Sequence, residues 1–503
     1  MRSLLCLLLS AALVVSLTAC GSGEPSSGSA SSSAPAGSSS VQAPVDVPFS
    51  LAVYSSYSLH PVLAENRANL MLAPLLYEPL FQLDESFEPV CVLCSSYSAS
   101  EDLLVWSFTL RSNVTFSDGT PLTGALAAEA LNLSRQPESR YAQRLRDVSS
   151  VTGDDTSVTI TLTTPNGDLP ALLDIPIALG SGDHPAGTGP YLLSGQEDDL
   201  TLVARTDWWQ NKSLPVAEIP LTPVDQSDDL ISSFASGATG LVEVDLMGTN
   251  ALGYSGNYQT WDYATTDFLY LGFNTQKGLG QTAAFRQAVA KTIDRTSIVQ
   301  VDYARHAVET TLPLHPDSPL ANAAALEEPL TYAPEEAISM LEELRATGRS
   351  FTLVVNSENS TKVAAAERIA YQLEAAGLEI ILSRLPFEDY TAALQAGNFD
   401  LYLGEVVLTA DFDLSPLLSS TGMLNYGRWQ DGQTDLLLSG FRSASSAARA
   451  AASSALLSYL NDQVPIAPIC FKHGSVLTQW GQLSGLSPVR GNVFYHLDGW
   501  IIE

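Results

Sequence analysis

From Phe49 onward, short apolar runs of strand period alternate with apolar runs of helical period, and this alternation most restricts the possible folds. Val105–Leu110 and Ser157–Leu162 alternate with period two, the second placing Val158, Ile160 and Leu162 on one face. Leu63–Tyr77, Leu122–Leu133, Thr282–Ile293, Pro334–Thr347, Ser360–Ala376, Asp389–Gly397 and the Ala/Ser-rich Ser443–Leu460 read as helices. Between them, Phe49–Tyr54, Asp267–Asn274, Phe351–Val355, Glu379–Leu385, Phe399–Leu403 and Ile466–Phe471 read as strands. Such alternation predicts an α/β fold with helix-covered sheets. The Gly- and Pro-rich stretch 180–190 is a predicted boundary. At 503 residues the chain has room for about three domain-sized units.

Charge narrows the function. Asp and Glu number 55 against 24 Lys and Arg, a formal charge of −31, which repels a phosphate backbone and argues against nucleic-acid binding. With 18 Tyr, 16 Phe and 7 Trp to bury, wholesale disorder is excluded as well.

Arg2 precedes a fourteen-residue, mostly apolar run, Leu4–Leu17, too short for a spanning helix of about 20 residues and suited to a signal peptide. It ends in Leu17-Thr18-Ala19-Cys20, which resembles the bacterial lipobox and implies lipidation at Cys20; an ordinary signal peptide containing a cysteine is the alternative. Nineteen of the twenty residues 21–40 are Gly, Ser, Ala or Pro, the composition of a flexible tether. The expectation is a folded body leashed to the extracytoplasmic face of a bacterial membrane.

Catalytic signatures are sparse in the sequence. The six histidines form no HExxH motif, and neither a GxSxG elbow nor a P-loop occurs. Gly278–Ala283 fits GxGxxA with Asp302 about twenty residues on, but equally suits a plain loop. Cys91 and Cys94 are expected to be structural thiols or a local turn disulfide, and no metal or cofactor is expected.

Five blocks in order carry a resemblance. They are Ser58–Pro61 with Leu76–Leu80; Trp106–Arg111 with Phe116–Thr123; Gly187–Tyr191; Leu271–Asn274 with Phe285–Ala288 and Ile293–Arg295; and Ala410–Asp413. Together they resemble the family 5 extracellular solute-binding proteins of peptide- and nickel-type ABC importers. The resemblance implies a two-lobed periplasmic-binding-protein-like α/β fold of type II with an extra subdomain. Lobe one would comprise 46–75, 190–266 and 480–503, the subdomain 76–189, and lobe two 267–479. It also implies a monomeric, non-enzymatic receptor that closes on a short peptide and delivers it to a permease and its ATPase.

In peptide-binding relatives the motif aspartate meets the ligand's α-ammonium, which puts Asp411 in that role. Asp413 is the alternative, because the motif departs from the family pattern at Asp413 and Leu414. Tyr54, Ser55, Tyr57, Leu408, Thr409, Trp429 and His473 are further expected ligand contacts. The nickel branch fits less well, since residues 405–420 contain no histidine. Haem or sugar ligands, an exported hydrolase and a cell-wall scaffold are the competing readings.

Overall fold

The computed structural model describes residues 49–503 except 197, 198, 250, 252, 324, 325 and 327. The signal-like segment, Cys20 and the tether lie outside the described residues. Three sheets organise the rest. In the first, Leu51–Val53 runs parallel to Glu218–Pro223, followed by Thr201–Ala204 and Tyr191–Ser194 in antiparallel order. Its core joins Leu51, Tyr191, Leu202 and Leu221 to Leu483, Phe494 and Trp500 near the C-terminus.

The second sheet is antiparallel: Cys94–Ala99, Val105–Leu110, Ser157–Leu162 and Val148–Gly153. Helix Gly124–Ser134 lies close against it, so close that a Cβ on Gly124 would sit 1.9 Å from the carbonyl oxygen of Ser157. Glycine is required there by the approach of two backbones. Phe81, Phe108, Leu131 and Ile160 fill the core of this small domain.

The third sheet runs in the order Leu241–Val244, Ile466–Gln479, Tyr258–Phe273, Leu401–Val407, Ser350–Asn356 and Glu379–Leu385, with Ala307–Glu309 attached to Ile466–Gln479. Ser350–Asn356 is parallel to both neighbours, and helix Ser360–Ala375 makes the crossover that parallel pairing requires. The mixed α/β architecture follows the alternation in the sequence.

Two expected strands prove much longer. Asp267–Asn274 extends back to Tyr258, and Ile466–Phe471 runs on to Gln479. Their added residues include Thr260, Trp261, Tyr263, Thr265 and Val476, aromatic or β-branched residues suited to a pleated surface. The two strands pair along most of their length, with a register break between Ala264 and Phe268. The expected lobe boundary at 266/267 falls inside this break.

One helix is corrected. Leu63–Tyr77 is two short helices, Arg67–Met71 and Ala73–Leu76, because Pro74 lacks an N–H and starts a new first turn. The Gly278–Gln281 segment of the dinucleotide-like motif is a single 3-10 turn, with Gly280 packed against the carbonyl of Asn274. Cys91 and Cys94 are free thiols, and burial pushes the Cys94 thiol up to about 12. Among the described residues no helix is long and apolar enough to cross a membrane, and no cluster of His, Cys, Asp and Glu is arranged to hold a metal.

Candidate functional site

Ligand sites in α/β proteins lie beyond the carboxyl ends of parallel strands. Leu51–Val53 runs out into Tyr54, whose backbone N–H donates to Asn69 Oδ1 (2.9 Å) while Asn69 Nδ2 donates back to its carbonyl (3.0 Å). This exchange fixes the loop onto the first short helix. Tyr54 is buried, its ring edge-on to Tyr57 at 6.0 Å, whereas Ser55 and Tyr57 face solvent. Tyr54 lines a cavity of about 490 Å³ together with Arg67, Ser227, Glu243, Asp245 and Tyr254.

The Asp411 loop sits elsewhere. Beyond Leu401–Val407 the chain passes the buried Leu408, then Thr409, Asp411 and Asp413, with Phe412 in the left-handed region at φ 52°. The Asp411 carboxylate accepts from Asn166 Nδ2 (3.0 Å) and Thr409 Oγ1 (2.5 Å). Its carbonyl accepts from Arg449 Nη2 at 2.6 Å. Asp413 lies 3.5 Å from Arg146 and 3.6 Å from Arg442, Arg442 lies 2.7 Å from Asp147, and Arg449 lies 3.4 Å from Asp168. Burial, then the Asp411 charge, raises the Asp413 pKa. Burial also lifts Asp168 to about 7 against the pull of Arg449. These groups tie the small domain to the third sheet's side of the molecule around a crevice of only about 50 Å³.

Trp429 and His473 occupy two further places. The Trp429 indole donates to Thr434 Oγ1 (2.9 Å) and lies 5.0 Å from the Arg286 guanidinium carbon, which is itself in the core. His473 Nδ1 is 3.9 Å from Asp262, a carboxylate that also meets His306 Nδ1 (2.9 Å) and Ser475 Oγ (2.6 Å). The structure brings Leu408, Thr409, Asp411 and Asp413 together. It does not bring Tyr54, Trp429 or His473 to them.

A second charged group escaped the sequence reading. Where the two long strands cross from the first sheet's side to the other, Lys472 Nζ lies 2.6 Å from Glu405, 3.3 Å from Asp245 and 3.6 Å from Asp267. The lysine side chain is 4% exposed, while the three carboxylates keep 22–28%. Burial lowers Lys472, but the charges of Glu405, Asp245 and Asp267 outweigh it and raise its pKa well above the ordinary value. Burial raises Asp267. The Lys362 ammonium approaches Glu405 at 4.0 Å, and burial lowers it to about 8. The available signal was a charge interrupting an apolar strand: Glu405 within Leu401–Val407, and Lys472 after Ile469-Cys470-Phe471.

The family model described as bacterial extracellular solute-binding proteins, family 5 middle, matches residues 88–425. The glutathione-binding protein GsiB of Shigella flexneri is 26% identical over 398 residues, covering 74% of this chain and 77% of that protein. Among solved structures, the unliganded open form of the periplasmic murein tripeptide binding protein MppA has a TM-score of 0.74 at 21% identity, covering 88% of this chain and 95% of that one. The nickel ABC transporter structure from Bacillus halodurans also has a TM-score of 0.74, at 19% identity and covering 88% and 97% respectively. One fold therefore carries different ligands.

Proposed function

The chain belongs to the bacterial extracellular solute-binding proteins of family 5, and from that premise we propose that it is the receptor of an ABC importer for short peptides. It binds between its two lobes, closes, and presents the ligand to a membrane permease driven by a separate ATPase. It performs no covalent chemistry itself. Cys20, lipidated, and the Gly/Ser-rich tether would hold it at the extracytoplasmic face of the membrane, as a monomer.

The observation that carries the reading is the cavity of about 490 Å³ at the ends of Leu51–Val53 and Leu241–Val244, lined by residues of the expected lobe one, against which the second lobe would close. It combines apolar walls from Met71, Leu230 and Val244 with Tyr54, Tyr254, Arg67 and Asp245. An apolar enclosure with a few convergent polar groups is the usual form of a small-ligand site, and its size is in the usual range. The peptide-binding relatives GsiB and MppA support the ligand class.

Asp411 and Asp413 enter this proposal as the carboxylates that fasten the small domain. For either to receive a peptide ammonium, Asn166, Arg146 or Arg442 must first move aside. Native mass spectrometry of the purified protein tests the reading. Co-purified short peptides support it, and a non-peptide ligand or a metal chelate as the sole bound species refutes it.

A further inference from the structure

A second cavity, of about 590 Å³, lies where the core of the small domain meets that of the first sheet. It shares no lining residue with the cavity at Tyr54, and its size is in the usual range for a small-ligand site. Glu78, Val90 and Arg111 line one side, and Trp208, Trp209 and Tyr495 the other. The aromatic side is held in place. Glu78, 5% exposed, accepts from the indole nitrogens of Trp209 (2.7 Å) and Trp208 (3.3 Å) and from Gln210 Nε2 (2.9 Å). The Tyr495 ring stands against that of His496, with centroids 4.0 Å apart. Rings fixed in advance lose little entropy when a ligand packs on them.

The charges around this cavity do not all find partners. Its three carboxylates do: Glu78 is met by three N–H donors, Asp174 by Arg144 and by Arg490 at 3.3 Å, and Asp498 by Lys212 at 3.0 Å. Arg111 does not. Its Nε donates to the Val92 carbonyl (2.6 Å), and its guanidinium carbon lies 5.2 Å from the centre of the Trp209 ring. Among the described residues its Nη nitrogens make no hydrogen bond and no ion pair, although the side chain is half-buried. On a chain with 55 acidic residues against 24 basic ones, a guanidinium with no carboxylate beside it stands out as a place for an anion from outside.

We propose that this cavity binds a small aromatic carboxylate, the carboxylate pairing with the Nη groups of Arg111 and the ring packing among Val90, Trp209 and Tyr495. A guanidinium anchored through Nε keeps its Nη groups for a planar, charge-assisted pair with a carboxylate. The site is separate from the cavity assigned to peptides, so the two ligands do not compete. The proposal therefore stands or falls independently of the peptide reading.

Isothermal titration calorimetry of the purified protein tests it, with indole-3-acetate, indole-3-acetamide and acetate as ligands. The buffer holds about 0.15 M salt, which screens the chain's distant negative charge beyond about 8 Å. The expected result is binding of the aromatic acid and at least about tenfold weaker binding of the amide, which keeps the ring and lacks the charge. Acetate, which has the charge without the ring, binds at least about tenfold more weakly than the acid as well. Arg111→Gln lowers affinity for the acid to that for the amide and leaves the amide's own affinity within about twofold. Hydrogen exchange of the unmodified protein locates the site, the acid protecting residues 208–214 and 491–498. Absence of binding by the acid, equal binding of acid and amide, or equal binding of acid and acetate overturns the proposal. So does protection at residues 66–71 and 241–248 instead, which would place the acid in the other cavity. None of these comparisons needs the variant, so they decide the matter even if Arg111→Gln does not fold.

Discussion

Asp168 shows how one buried carboxylate makes the molecule sensitive to pH. Its side chain keeps 22% exposure, yet burial lifts its pKa from 3.8 to about 7, offset in part by Arg449. The folded chain therefore binds more protons than the unfolded chain between those values, and stability falls as pH rises through that window. Asp168→Asn removes the dependence, so its melting temperature should gain on that of the unmodified protein from pH 4 to pH 7. A constant offset between the two melting profiles would refute the assignment. At Lys472, replacement by methionine leaves three carboxylates without their shared cation. Breaking a buried ion pair costs about 3–5 kcal/mol, and exposure of the carboxylates places this case at or below the lower end. Urea unfolding measures it, and a change below about 0.5 kcal/mol would contradict the pairing. Neither residue stood out in the sequence, because an isolated Asp or Lys carries no mark of the partners that folding brings to it.

At the scale of elements, the pieces that the sequence revealed are those with strong local signals. Val105–Leu110 and Ser157–Leu162 occupy the expected residues because apolar and polar residues alternate along them, and Glu379–Leu385 does so as a short apolar run centred on Ile380–Leu382. Helix Ser360–Ala375 is likewise where its periodicity predicts. The long crossing strands were legible only in part, since their polar halves owe their conformation to pairing with each other. The Asp411 loop was identified by its motif, but its neighbours Asn166, Asp168 and Arg449 come from other elements. Gly167 marks the closest approach in this contact: its N–H donates to the carbonyl of Arg442 (2.7 Å), and a Cβ would lie 1.7 Å from the carbonyl oxygen of Ala444. Gly167→Ala should therefore separate the small domain from its partner and cost about 1–3 kcal/mol, the range for overpacking. Hydrogen exchange would show faster opening of residues 411–415 and 441–449, and unchanged protection there would count against the contact.

At the scale of the whole molecule, the two long strands Tyr258–Phe273 and Ile466–Gln479 run beside each other through the third sheet, and closure, where it occurs as proposed, would act through them. The register break between Ala264 and Phe268 contains Asp267 and lies beside Lys472, so the charged cluster sits at an irregularity of the sheet. Closure on saturation with peptide should reduce the radius of gyration in small-angle X-ray scattering, and an unchanged value with proven binding would contradict closure. The charge of −31 gives long-range attraction for cationic ligands, which weakens with added salt. The most direct test of the central claim is the identity of what the protein carries when it is purified under native conditions and released into a mass spectrometer. A set of short peptides with free amino termini is the predicted result. A single non-peptide species, with no binding of added peptides, would contradict it.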